Sequence, residues 1–334
     1  MTIDGTTGPH PDPRNKSGAG SPPLSRERGR SGANLARAAA FASSHILPVA
    51  TVLLIGVVLW YLAAIWFNAP RVIEQLERAG PDWTAGQLVD GAWSMERPVV
   101  PTPGQILTDF WNTTTGVKLF RNGKCNNRNL LCHAWITASA TVLGFLVGTL
   151  LGIALAVCIL HVRTLDRSLM PWIIVSQTVP ILAVAPMIIL ILNALDFPQL
   201  AAKATISAYL SFFPVTIGMV KGLRSPEVLQ LDLMHTYNAS QNQLLWKLRW
   251  PASLPFLFAS LKVSVAISLV GAIVGELPTG ATAGLGARML TGSYYGQTIQ
   301  IWSALLMAAL LGMTLVYGIA GIERLAMRRM GGRA

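Results

Sequence analysis

Six stretches of mostly apolar residues run through this chain, each near the roughly 20 residues that a helix needs to cross a hydrocarbon core. They are Ile46–Phe67, Trp135–Leu160, Leu169–Leu192, Lys203–Val220, Leu254–Gly275 and Ile299–Ile319. Lipid supplies no hydrogen-bonding partner for an exposed peptide group, so such segments must be helices that satisfy their own backbones. The predicted fold class is therefore an all-α polytopic membrane protein with six transmembrane helices. Composition agrees. Of 334 residues, 52% are hydrophobic and 12% charged, against about 25% charged in soluble domains. The mean hydropathy is +0.49.

A net charge of +11 raises nucleic acid as a partner. The distribution argues against it. Lys and Arg fall mostly between the apolar stretches, where they act as topology signals. With the N-terminus inside, the inner segments hold six in the tail, from Arg14 to Arg37. They also hold Arg163 and Arg167, then Lys221, Arg224, Lys247 and Arg249, then Arg324, Arg328, Arg329 and Arg333. The two short outer loops offer only Lys203 and Arg288. The long loop 68–133 holds seven, offset by six acids, and loops of that length escape the rule. Both termini are expected in the cytoplasm.

The layout follows. Residues 1–45 form a basic tail rich in Gly, Pro and Ser, with too little apolar surface to fold. Its basic region is too long, and the apolar run after it too near a full span, for a signal peptide. Residues 46–67 are the first span and 68–133 an external subdomain. Residues 134–320 hold the other five spans, with a polar loop at 226–251. Residues 321–334 are a second inner tail.

In the external loop, Val72–Ala79 reads as a short helix and Pro98–Pro103 as a stiff connector. Thr102-Pro103-Gly104 opens a capped amphipathic helix expected to run into span two. Trp83, Trp93 and Trp111 pack locally or rest at the interface. Cys125 and Cys132 form a disulfide if this loop meets an oxidising compartment, and are otherwise two free thiols. Cys158, in an apolar run, is a small packing residue. No His or carboxylate cluster accompanies them, so no metal site is expected.

Several chemistries are missing from the sequence. There is no GxxxxGK[ST] phosphate loop, no GxSxG, HExxH or CxxC. No carboxylate pair sits mid-membrane, where a proton-coupled carrier would need one. Any uphill transport must draw its energy from a partner.

The polar segment Asp232–Pro251, DLMHTYNASQNQLLWKLRWP, carries the strongest functional signal. Leu229, Leu233 and Tyr237 recur at helical spacing. Asn238 interrupts, and Asn is among the few non-glycine residues that accept left-handed backbone angles. Ser240 can cap a second helix carrying Leu244, Leu245 and Leu248, with Pro251 at its end. The expected form is helix, turn, helix along the inner membrane face.

At these residues the chain resembles the membrane subunit of binding-protein-dependent ATP-binding-cassette (ABC) importers. That family's cytoplasmic signature is E-A-A, three residues, G, nine residues, I-x-L-P. Here the positions read Asp232-Leu233-Met234, then Asn238, then Leu248-Arg249-Trp250-Pro251, with the spacing intact. Asp replaces Glu, Leu-Met replaces Ala-Ala, Asn replaces Gly and Trp replaces Leu. The likeness extends from about Val100 to Arg329. It includes Pro101-Thr102-Pro103, Gly144-Phe145, Gln177-Thr178-Val179-Pro180 with Ala185-Pro186, and Phe212-Phe213-Pro214. It also includes Gly271–Glu276 followed by Gly284-Leu285-Gly286. The most similar branch handles nitrate, sulfonates, taurine, bicarbonate and thiamine-precursor pyrimidines.

The resemblance implies a type I importer permease fold in a bacterial inner membrane. It implies a second permease subunit, two cytoplasmic ATP-binding subunits holding the ATP and magnesium, and an external substrate-binding protein. No cofactor belongs to this chain. Asp232, Leu233, Met234, Asn238, Ala239, Leu244, Leu248 and Pro251 would form a coupling helix seated on the ATPase, with Leu245 on its apolar face. Gln177, Thr178, Pro180 and Pro186 would line a translocation path at a proline-broken helix, the alternative being an inert packing kink. Glu276 would cap the neighbouring Gly-rich turn or serve an external gate. Gly144, Gly148 and Gly152 form a small-xxx-small ladder for close helix packing, with a subunit interface as a further use. The expected cargo is a small polar solute. With the spans read as lacking strong basic residues at mid-depth, an anion and a heterocycle stay equally open. The rival reading is a secondary carrier or channel acting alone.

Overall fold

In the computed structural model, the described residues are 47–80, 82–121, 124–126, 128–278 and 283–330. They divide into two units, one ending at Leu59 and the other running Trp60–Ala334. The boundary falls inside α1 (Leu47–Ala79), and Leu47–Leu59 is the only described part of the first unit.

The second unit continues as α2 (Ala85–Ser94), α3 (Pro103–Thr114) and a two-stranded hairpin, β1 (Phe120–Arg121) and β2 (Lys124–Cys125). Then come α4 (Leu130–His161), α5 (Arg163–Ser176), α6 (Ile181–Ala194), α7 (Gln199–Leu223) and α8 (Val228–Thr236). The chain ends through α9 (Gln241–Leu244), a π-helical turn at Leu245–Arg249, α10 (Trp250–Glu276), α11 (Leu285–Tyr294) and α12 (Thr298–Arg329). Among the described residues, five helices are long and apolar enough to cross a membrane, and α5 with α6 makes up to a sixth. The all-helical polytopic reading holds.

Four local expectations are corrected. Val72–Ala79 is not a separate helix. It continues α1, which passes through Pro70 without a break. Buried Asn68 anchors this stretch, accepting from the Val99 and Val100 N–H groups and donating to the Ala92 and Val100 carbonyls. Next, α3 does not run into span two, because the hairpin intervenes. Its start is as expected: Thr102 and Gln105 form a capping box with Pro103 in the first turn. Third, span three is two helices meeting at 100° across Gln177–Pro180. Only that break is present, since Pro186 sits inside continuous α6. Finally, Pro251 does not end a helix. Gln241–Glu276 is one helical run of 36 residues. Pro251 has no N–H to offer, and the widened turn before it absorbs the mismatch, with the Trp250 N–H reaching back to the Leu245 carbonyl.

The core lies where α7 packs against α4 on one side and α10 on the other. Small residues allow the close approach. Cβ atoms added at Gly144 and Gly148 would strike Ser207 and Ser211 of α7, so the glycine ladder of α4 serves packing within this chain. Hydroxyls then satisfy carbonyls across the seam: Ser264 to Ser211 at 2.8 Å and Ser268 to Thr141 at 3.0 Å. One apolar cluster joins Ala156, Ile159, Val215, Met219, Leu223 and Leu257.

Candidate functional site

Three places carry the residues singled out by sequence. The first is the connection between α7 and α10. Asn238 has φ +49°, the left-handed conformation that Asn tolerates and most residues avoid. The turn closes through Ala239 N–H to the Met234 carbonyl at 3.0 Å. Ser240 then caps α9, with the Gln243 N–H donating to its hydroxyl and its own N–H donating to the Gln243 amide. None of α8 is buried. Val228, Leu229, Leu233 and Tyr237 are 72%, 77%, 55% and 76% exposed, and Asp232 is exposed beside them. Residues 229, 233 and 237 share one face at four-residue spacing.

The apolar face assigned to Leu244, Leu245 and Leu248 is corrected. Leu244 and Leu245 are buried in this chain, Leu245 within the α4–α7–α10 core. Leu248 is half-buried. They anchor the segment, while α8 presents the free surface. Nearby, Arg224 pairs with Asp166 at 2.9 Å. The Arg249 guanidinium donates to the Leu223 carbonyl at 3.2 Å. The α4–α5 junction, the end of α7 and the π turn therefore meet at one basic end of the bundle.

The second place is the break between α5 and α6. Gln177 closes α5, and Pro180 precedes the first turn of α6. A cavity of about 250 Å³ opens beside it, lined by Ser176, Gln177 and Val179 from the break, Tyr209, Leu210 and Phe213 from α7, and Ile267 from α10. The Tyr209 hydroxyl donates to the Ser176 carbonyl at 2.8 Å, taking one of the acceptors that a helix end leaves open. Of the path residues named from sequence, Gln177 lines this cavity. Thr178 turns back to donate to the Val175 carbonyl, and Pro180 and Pro186 are exposed positions, at the start of α6 and along it. Tyr209, Phe213 and Ile267 were missed, because nothing local to span four or five marks which face meets a break in span three.

The third place surrounds Glu276, which is fully buried at the end of α10. Its carboxylate lies 3.0 Å from the Thr137 hydroxyl and 3.3 Å from the Lys203 ammonium. It accepts the Gly286 N–H at 2.8 Å. The Leu285 N–H donates to Thr137 Oγ1 at 2.9 Å and the Gly284 N–H to His133 Nδ1 at 2.9 Å. Side chains from α4 and α10 thus satisfy three consecutive N–H groups opening α11, and a carboxylate there also suits the helix dipole. Gly284 has φ +131°, and a Cβ on it would collide with the Glu276 carboxylate. Of the two uses named for Glu276, the geometry is that of the cap. Lys203, first met as an outer-loop charge, is its buried counter-ion.

Lys262, in the stretch read as span five, corrects the reading of the spans as lacking strong basic residues. It lies within α10 and pairs with Glu323 of α12 at 2.5 Å. It does not line the cavity beside Gln177. Cys132 is disulfide-bonded and Cys158 is free. The side chain of Cys125 lies outside the described residues. No cluster of metal-ligating side chains is present among the described residues.

Residues 148–332 match the family described as binding-protein-dependent transport system inner membrane component. A riboflavin transport system permease protein, RibX, from Chloroflexus aurantiacus is 31% identical over 74% of this chain and 85% of its own length. An ABC transporter permease protein from Haemophilus influenzae is 33% identical over 56% of this chain and 74% of its own. A formylaminopyrimidine transport permease protein, ThiX, from Halalkalibacterium halodurans is 30% identical over 58% and 74%.

Proposed function

The chain belongs to the family of binding-protein-dependent transport system inner membrane components and is the permease subunit of an ABC importer; from that premise we propose that α8 and the Asn238 turn couple it to a cytoplasmic ATPase. The observation that carries this is the exposed α8. A short helix with no buried residue, ending in a left-handed turn and held between two core spans, gains nothing from its own fold on its outer face. Exposed Val228, Leu229, Leu233 and Tyr237 supply an apolar surface for a groove on that partner, and Asp232 supplies a polar contact.

In this reading the basic end of the bundle, with Arg163, Arg167, Lys221, Arg224 and Arg249, faces the cytoplasm. Both termini lie on that side of a bacterial inner membrane. Two copies of the permease line one pathway, and two ATPase subunits hold ATP and magnesium. ATP binding draws the ATPase pair together and moves the α8 segments. The pathway then opens outward to receive solute from an external binding protein, and hydrolysis resets it. The path runs past the break at Gln177. The cargo is a small polar solute of the kinds named in relatives, from a sulfonate or nitrate to a riboflavin or pyrimidine-type heterocycle.

Asp232→Arg and Asn238→Val test the coupling. In reconstituted vesicles both variants are expected to insert normally and to separate ATP hydrolysis from uptake. Wild-type uptake in both would remove the coupling role. Uptake that survives ATP depletion and collapses with the proton gradient would favour a stand-alone secondary carrier.

A further inference from the structure

We propose that His133 is an acid-sensitive latch on the start of α11, holding it while the imidazole is neutral and releasing it when the ring takes a proton. A hydrogen bond of fixed direction carries this. A backbone N–H can only donate, and the Gly284 N–H lies 2.9 Å from His133 Nδ1. That nitrogen must present its lone pair, so the ring proton sits on Nε2. In the imidazolium both nitrogens carry protons, and a donor then faces a donor. The His133 side chain is 4% exposed and the bond itself is buried. Water does not take over the Gly284 N–H, and a buried donor without an acceptor is costly.

The neighbouring charges do not relieve the loss. Around the cap, α10 brings Glu276 and α7 brings Lys203. Arg288 lies one turn into α11, with Asp109 of α3 acting on its charge and the Arg128 carbonyl accepting from it. The α12 helix, packed against α11, has no charged side chain between residues 298 and 322. The Glu276 oxygens already take Thr137, Lys203 and the Gly286 N–H. A protonated His133 would add a second cation to a cap where Glu276 already answers Lys203. Even an imidazolium drawn toward Glu276 no longer accepts from Gly284.

The response is confined to the first turn. Leu285 and Met289 pack in an apolar cluster with Leu130, Ala134, Ala304 and Met307, which no proton alters. Release therefore frays the entry to α11 and leaves its body seated. Gly284, at φ +131°, is the residue type that swings most freely once its N–H is loose. The folded cap needs the neutral ring. Its hold is complete above the histidine range and is lost as pH falls through that range. Histidine is the side chain that ordinarily titrates near physiological pH. With the Lys and Arg pattern read as positive inside, the pH sensed is that of the external compartment.

The test compares the full-length chain in lipid nanodiscs at about pH 7.5 and about pH 5.5, either side of the histidine range. Hydrogen exchange, corrected for its intrinsic pH dependence, should speed up about tenfold in acid over the first turn of α11, as loss of one hydrogen bond implies. Residues 289–294 should not change. His133→Asn puts an amide oxygen near the place of Nδ1 and does not titrate, so its first turn should stay protected at both values. Nitrogen NMR of wild type with labelled histidine should show the Nε2–H tautomer of His133 at the higher pH and the doubly protonated ring at the lower. Equal exchange at both values in wild type would overturn the latch. So would an Nδ1–H tautomer, or a ring that stays neutral in acid. Acceleration that persists in His133→Asn would make Glu276 the sensor and overturn it too. Should that variant fail to fold, the wild-type ring titration decides. None of these measurements involves transport, so the importer reading stands or falls separately, by uptake.

Discussion

Two short helices join spans in this protein, and they are built in opposite ways. The nine-residue α8 has no buried residue. The ten-residue α11 buries Leu285, Gly286, Ala287, Arg288 and Gly292. The start of α8 is closed from within, where the Glu227 N–H donates to the Gln230 side chain at 3.2 Å. The start of α11 is closed from outside, by His133, Thr137 and Glu276 on two other helices. One helix is finished by its own chain. The other is complete in itself yet leaves an apolar face with nothing against it. The difference separates a fixed part of the scaffold from a part made to meet something else.

Substitutions can break that contrast, beginning with the largest effect on stability. Lys203→Met leaves the Glu276 carboxylate buried without its counter-ion, and a loss of about 3–5 kcal/mol is expected. Thermal unfolding in detergent would show it, and adding Glu276→Leu should restore only part of it, since the buried Gly286 N–H then loses its acceptor. An unchanged melting temperature in Lys203→Met would mean that the pair does not hold α11.

Gly284→Ala comes next. It forces a Cβ into the Glu276 carboxylate at φ +131°, with an expected cost of about 2–4 kcal/mol. Limited proteolysis should then cut around α11 first. Uniform resistance would argue that α11 is held by something other than its N-terminal cap.

Asn238→Val puts a β-branched residue at φ +49°, for about 1–3 kcal/mol. Asn238→Gly should lose none of this and gain slightly. Hydrogen exchange should place the damage in the turn alone. Protection lost as far as α10 would show the turn to be part of the core.

Leu233→Ser sharpens the contrast most and disturbs the fold least. The side chain is 55% exposed, so stability should stay within about 0.5 kcal/mol. Co-purification of the ATPase subunit should fall. Retention at wild-type levels would move the docking surface off α8.

The same division governs what could be read from the residues in order. The Asn238 turn, the Ser240 cap and the Thr102–Gln105 box each involve side chains within four positions of their targets, and their chemistry is written locally. The side-chain partners of Glu276 lie 73 and 139 positions away in sequence. Lys203 therefore read as a loop charge, when its pairing is decided by how α7 and α10 cross. Pro180 and Pro186 of span three looked equivalent. Pro180 follows the end of one helix and opens a 100° bend, while Pro186 is absorbed five residues into α6. The inward turn of Leu244 and Leu245 depends on the extra residue in the π turn, which hydrophobic spacing at 3.6 residues per turn does not anticipate. The cavity at Gln177 draws on three helices, so only one of its walls was visible.

The unbroken run from Gln241 to Glu276 has a mechanical consequence. Its 36 residues span about 54 Å at 1.5 Å per residue. One end starts three residues beyond Asn238, and the other holds the carboxylate that fastens α11. A tilt of about 5° at the first end sweeps the far end through about 5 Å, a gain set by length alone. The π turn, one residue looser than its surroundings, sits near the fulcrum, where a small change in pitch costs least and swings the whole arm.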